Sequence, residues 1–215
     1  ARPIKIYDFY EPRTVDQSRF LQIPEFISTY LYYSSNSNNR FAFDFNPFIS
    51  FVNEKGRRNY GVVIAPRYRF SDHFSLSYNF DYSKQDNNLG YVGSDSATNE
   101  IFMGRRDRST YINTVQGKFT INSDMNFNLS LRHYLSYADY SQYYSLQNDG
   151  TLNSTTNFTQ NSNSIFNAWN LDVSYSWWFA PGSQVSILYR NNAALFENEF
   201  KRDLGSNFQK VIDRK

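Results

Sequence analysis

The sequence predicts an all-β chain: an antiparallel, up-and-down transmembrane β-barrel, part of a larger barrel, with about eight strands visible. Three features point there. The first is alternation. Trp169, Leu171, Val173, Tyr175, Trp177 and Phe179 share one parity, while Asn170, Asp172, Ser174 and Ser176 take the other. Successive side chains on a pleated strand point to opposite faces, so a period of two means strand. The second is length. This run keeps its alternation for about 11 residues, twice the usual ~5–6, and close to the ~9–11 that a tilted strand needs to cross a bilayer. The third is the sorting of connections. Counted from Ser35–Arg40, the first, third, fifth and seventh are short, the second is intermediate, and the fourth and sixth are long. Short turns at one end and long loops at the other are the habit of outer-membrane barrels.

Taken in order, residues 1–24 carry Pro3, Pro12 and Pro24 with scattered charge, and are expected as an irregular extracellular lead-in. Residues 25–196 are expected to hold the transmembrane strands and their loops. The first strand starts at Phe26. Phe41, Phe43, Phe45, Pro47, Ile49 and Phe51 then share a parity, with a local bulge expected at Pro47, which has no N–H to donate. Tyr60, Val62, Ile64, Pro66, Tyr68 and Phe70 form the next apolar row. A short turn at Ser71–His73 leads into Phe74, Leu76, Tyr78, Phe80 and Tyr82. Residues 84–108 read as a long polar loop. Tyr111, Val115, Phe119 and Ile121 follow, then Phe127, Leu129, Leu131 and Leu135, and residues 146–164 read as a second long loop. The hairpin through Ala180-Pro181-Gly182-Ser183 closes the series, since Pro presets φ and Gly accepts positive φ. Residues 197–215 are expected as a charged tail or loop with a short capped helix over Ser206–Ile212, setting Phe208, Val211 and Ile212 on one side.

Composition fits a wall with one greasy and one wet face. Aromatics make up 19% of the chain, with 18 Tyr and 20 Phe, yet mean hydropathy is −0.65 because Asn, Ser, Asp and Arg are also abundant. A net charge of +2 implies no nucleic-acid partner. The absence of cysteine excludes a disulfide scaffold, a thiolate metal site and a Cys nucleophile. No stretch reaches ~18 consecutive apolar residues, so no transmembrane helix is expected. The amino end lacks the charged-then-apolar pattern of a signal peptide.

Three short motifs carry a family resemblance: Tyr10-Glu11-Pro12-Arg13, Gly104-Arg105-Arg106-Asp107 and Trp178-Phe179-Ala180-Pro181-Gly182-Ser183. In order and spacing, over residues 7–210, the chain resembles the uncharacterised C-terminal barrel domain of Bacteroidota-type outer-membrane proteins. In that family the barrel follows an N-terminal domain resembling family-nine carbohydrate-binding modules. The resemblance implies the bacterial outer membrane, lipid and lipopolysaccharide as surroundings, and other outer-membrane proteins as candidate partners. It implies a structural, transport or surface-assembly role, linked to glycan binding by a domain outside this chain, and no enzymatic chemistry. Such barrels usually end on a strand with a terminal aromatic, whereas this sequence ends Val211-Ile212-Asp213-Arg214-Lys215. An internal or truncated part of a larger barrel is therefore expected.

Candidate site residues follow from parity. Asp44, Arg67, Arg69, Asp81, Lys118, Arg132, Asp172 and Arg190 fall on the polar side and are expected to line the lumen, with interior ion pairs the favoured role. Phe70, Phe74, Trp177 and Phe179 sit beside short turns and are expected in the periplasmic aromatic girdle. Arg105, Arg106 and Arg108 are expected in a solvated external loop. Histidine and carboxylates are too scattered for a metal or cofactor site. Two rivals remain open on sequence: a soluble secreted β-sandwich that binds glycans, whose strands would alternate in the same way, and a lipid-active barrel enzyme using His133. The nearest serines, Ser130 and Ser136, lie on the opposite parity to that histidine.

Overall fold

The computed structural model describes residues 2–10, 19–198 and 203–213. Glu11, Pro12 and Arg13 of the first motif lie outside them. In chain order the described elements are β1 (Arg2–Ile4), β2 (Tyr7–Tyr10), β3 (Phe20–Ile23), β4 (Phe26–Tyr30), β5 (Tyr33–Ser34), β6 (Phe41–Val52), β7 (Arg58–Arg69), β8 (Phe74–Asp95), β9 (Glu100–Thr120), β10 (Met125–Leu146), β11 (Leu152–Ser154), β12 (Ser164–Ala180), β13 (Ser183–Glu197) and helix α1 (Leu204–Ile212). Among the described residues the chain is all-β but for that helix. One sheet runs β1-β4-β6-β7-β8-β9-β10-β12-β13, with β5 added to β6 and β11 to β10, while β2 and β3 form a separate hairpin. Every pairing is antiparallel and the long strands follow one another up and down. The sheet is open: among the described residues the outer edge of β13 has no partner strand.

The turns at residues 35–40, 70–73, 121–124 and 181–182 gather at one end of the sheet, here the turn end; those at 53–57 and 96–99 and the connection 147–163 lie at the other, the tip end. Gly182, at φ 76° in the Pro181-Gly182 turn, takes the left-handed conformation that its position requires. The short connections fall where the sequence puts them. The long ones need correction. Residues 84–108 are not a loop: β8 continues to Asp95, β9 begins at Glu100, and only 96–99 turn the chain. Two irregularities in the β8–β9 register, between Gln85 and Asn88 and between Tyr91 and Gly93, break the alternation and hide the strand. The second long loop carries β11, paired with the end of β10.

The lead-in also differs from the irregular segment expected, since β1, β2 and β3 form within it. Leu21 on β3 packs with Ile101, Met103 and Leu146, so the β2–β3 hairpin covers the apolar side of the β8–β10 tips. Arg19 Nη1 donates to the Leu146 carbonyl at 3.2 Å, and Gln22 N donates to the Gly150 carbonyl at 3.1 Å. The bulge expected at Pro47 is absent. β4 and β5 pair with β6 in a single register, Tyr30 opposite Phe48 and Tyr33 opposite Phe45, and break only at Leu31–Tyr32. Leu31 N donates to the Pro47 carbonyl at 3.0 Å, but proline cannot return the bond, so the ladder lapses there without slipping. β4 and β5 are one interrupted strand.

Gly61 marks the tightest packing of the central strands. A Cβ there would lie 2.3 Å from the Tyr82 carbonyl oxygen and 2.7 Å from the Phe48 ring. Phe48 lies opposite Gly61 on β6 and fills the space of its missing side chain. Gly61→Val is expected to destabilise the fold by roughly 1–3 kcal/mol through overpacking, read from the urea midpoint. A change below about 0.5 kcal/mol would contradict this packing.

Candidate functional site

Register makes the apolar parity one continuous face. Phe74, Phe119, Phe127, Tyr175 and Ile187 form one lateral row, and Leu76, Gly117, Leu129, Val173 and Tyr189 the next. Tyr78, Val115, Leu131 and Leu171 follow toward the tips. Phe41, Ile64, Tyr68, Tyr78, Phe119, Phe127, Val185 and Ile187 on this face are exposed. Its buried clusters lie farther along, where Leu135, Tyr137 and Ile165 meet, and where Trp169 and Leu195 pack under Val211 of α1. Among the described residues a band of this face nearer the turn end is left without protein cover, up to about Leu129 on β10 and Val173 on β12, beyond which Leu131 and Leu171 pack against the cluster under α1.

Rings border the band on both sides. At the turn end, ring centroids lie 4.8 Å apart for Phe70 and Phe74, 6.3 Å for Phe74 and Phe119, and 5.7 Å for Trp177 and Phe179. The four expected girdle residues thus form two contacting groups beside their turns. Toward the tips, Tyr82 and Tyr111 stand 4.9 Å apart and Tyr111 and Tyr137 6.3 Å, a second border that parity alone does not single out.

A charged belt follows immediately beyond the tyrosines. Asp86 accepts from Arg58 Nε at 2.6 Å and pairs with Lys84 at 3.2 Å. Glu54, in the β6–β7 turn, pairs with Arg57 at 3.0 Å and receives the buried guanidinium of Arg105. Burial pushes the Glu54 carboxyl up, but hydrogen bonds and charge from Arg105 and Arg57 outweigh it and hold the group below its ordinary value. Arg105 Nη1 also donates to the Asn87 carbonyl at 3.1 Å. The basic cluster is therefore strand, not solvated loop. Arg106 donates to the Tyr140 hydroxyl, and Arg108 Nε donates to Ser136 Oγ at 3.2 Å. Sequence reading missed Glu54 because its turn gives no hint of reaching β9.

His133 keeps the apolar parity but is buried beneath α1, its ring 4.8 Å from Phe208. Its Nε2 lies 3.0 Å from Asn167 Oδ1, Asn167 Nδ2 donates to the Asn207 carbonyl at 2.6 Å, and Asn207 Nδ2 donates to the Tyr137 hydroxyl at 3.1 Å. This network docks α1 against the sheet. The helix starts at Leu204, not Ser206, because the Asp203 carboxylate accepts from Ser206 N at 3.0 Å and caps it.

The other parity is polar and concave. All eight residues expected there share it, as the pairings Asp44–Ala65, Arg67–Ser77, Arg69–Ser75, Asp81–Ile112, Lys118–Asn128, Arg132–Thr114 and Asp172–Arg190 require. Two ion pairs form, Arg67 with Asp44 at 3.3 Å and Arg190 with Asp172 at 2.7 Å. Asp81 has Val63 and Ile112 beside it, and Arg132 has Thr114 and Asn170. A concavity of about 530 Å³ opens on this face, lined from the β5–β6 turn across to β12. Arg40, which sequence reading passed over as a turn residue, lines it too.

Among the described residues no group of three or more His, Cys, Asp or Glu could hold a metal ion, and no helix is long and apolar enough to cross a membrane. Neither a curated protein nor a solved structure matches the chain. The family described as "Domain of unknown function (DUF5916)" matches residues 1–215, and the chain belongs to that family.

Proposed function

We propose that this DUF5916 chain forms the wall of a transmembrane β-barrel in the bacterial outer membrane, with a structural, transport or surface-assembly role and no enzymatic one. One observation carries the reading: an apolar face that lacks cover among the described residues, bordered by rings and then by a charged belt, on strands long enough to cross a bilayer when tilted. In water such a face would need a second layer of protein. The described residues supply covers at the tips, through β2–β3 and α1, and none over the rest of the face. Aromatic rings suit the two interfaces of a membrane, where an apolar body and a polar tip are both satisfied. The turn end then faces the periplasm, and the β8–β10 strands, which run on past the apolar face and carry the long connection 147–163, stand outside. The polar concave face becomes the lumen wall, and β13 the strand from which the barrel continues.

The test is solubility. The purified chain is expected to require detergent or lipid to stay monodisperse and to float with liposomes in a density gradient. A chain that is monodisperse in plain buffer and remains at the bottom of the gradient refutes the membrane reading.

A further inference from the structure

We propose that the polar concavity at the turn end binds a small multivalent oxyanion. Its lining includes Arg40, Arg67, Arg69 and Lys118. Arg67 is engaged by Asp44, and Asp172, also in the lining, is engaged by Arg190. That leaves Arg40, Arg69 and Lys118 without a carboxylate among the described residues. Register brings them together. Ser75 pairs with Arg69 on one side and with Lys118 on the other, so the three share one lateral row on one face. Neighbouring strands lie ~4.8 Å apart, which sets the Arg69 and Lys118 backbones roughly 10 Å apart with the Ser75 hydroxyl between. Arg40 adjoins the row, since its carbonyl accepts from Arg69 N at 2.7 Å. Asn128 extends the row next to Lys118.

Two long cationic side chains flanking a hydroxyl suit an anion with several oxygens. The guanidinium supplies paired donors in a fixed fork, the ammonium a compact charge, and the hydroxyl a third donor. Curvature of the sheet gathers these charges in a hollow, where low-dielectric walls focus their field. Like charges held this close repel one another, and a bound anion relieves that repulsion. The chemical class is therefore a phosphate- or carboxylate-bearing solute of the aqueous phase. That this hollow faces the lumen rests on the barrel reading above; the binding itself does not.

The experiment is calorimetric titration of inorganic tripolyphosphate into the full chain in a non-ionic detergent, with succinate in parallel. Saturable binding that weakens as salt rises is expected. The double variant Arg69→Gln/Lys118→Gln is expected to lose about tenfold or more in affinity. The charge-keeping variant Lys118→Arg should retain most of the affinity, and Lys84→Gln, on the opposite face, should bind as the unchanged chain does. Equal thermal midpoints would show that the double variant still folds. Absence of saturable heat with either probe, or a double variant that binds as tightly as the unchanged chain, overturns the proposal. A chain that floats with liposomes but does not bind disposes of the anion site alone. A chain that binds but never partitions into lipid disposes of the membrane reading alone.

Discussion

Ile187→Arg is expected to lower unfolding free energy in phosphatidylcholine vesicles by about 2 kcal/mol, the lower end of the ~2–4 kcal/mol that arginine costs at a bilayer midplane. Leu188→Arg, one residue along, is expected to change it by no more than about 0.5 kcal/mol. The two side chains are equally exposed on β13, 61% and 58%, but they point to opposite faces. Ile187 lies opposite Tyr175 in the bare band, roughly midway between the Pro181-Gly182 turn and the rows under α1. Leu188 lies opposite Ser174 on the concave face. A sheet with water on both sides predicts equal and small effects, because an exposed isoleucine loses little when replaced by a solvated arginine. The contrast therefore reads the solvent of each face, with backbone, strand and exposure held constant. Urea titrations of both variants against the unchanged chain supply the measurement.

Glu54→Ala is expected to cost about 3 kcal/mol, because it strips the carboxylate from a guanidinium already out of water. The Arg105 side chain is 9% exposed, and Glu54 holds it across a sequence separation that ties the β6–β7 turn to β9. Arg58→Ala, which breaks a pair whose arginine is 58% exposed and leaves Asp86 paired with Lys84, should move the urea midpoint far less. Acid should act in the same direction as the first substitution. The Glu54 carboxyl is held below its ordinary value of 4.5, so its contribution is fully present above that value. It is lost as pH falls through the lowered one. Hydrogen exchange across residues 53–57 should accelerate in that acid window in the unchanged chain, and be fast at every pH in Glu54→Ala. Slow exchange in the variant at neutral pH would contradict the role given to this pair.

Alternation made the sheet legible wherever a strand keeps an unbroken period of two. β6, β7, β12 and β13 follow the parity written in Phe41–Phe51, Tyr60–Tyr68, Trp169–Trp177 and Val185–Tyr189, and every polar residue assigned from that parity lies on one face. The β8–β9 extension was illegible because irregular pairing shifts the parity at Asn88 and Gly93, and a shifted alternation resembles a polar loop. Cover was illegible as well. Nothing in Leu21 or Val211 announces that each closes an apolar patch far along the chain. The charge assignments were half legible. Parity placed Arg69 and Lys118 together, but their common neighbour Ser75 and the turn residue Arg40 emerge only once register and curvature are known. Likewise, Arg105 looked like part of a solvated cluster, and only the folding of the β6–β7 turn toward β9 buries it against Glu54.

On the proposed arrangement the bare apolar face meets lipid and the concave face meets water. The chain contains no cysteine, so single thiols introduced at successive positions from Leu171 to Trp177 can each carry one spin label. In liposomes, collision with molecular oxygen, which concentrates in lipid, should peak at Leu171, Val173, Tyr175 and Trp177. Collision with a water-soluble nickel chelate should peak at Asp172, Ser174 and Ser176. Accessibility of period two with those opposite phases is the predicted result. Nickel accessibility as high at Val173 and Tyr175 as at Ser174 would contradict it.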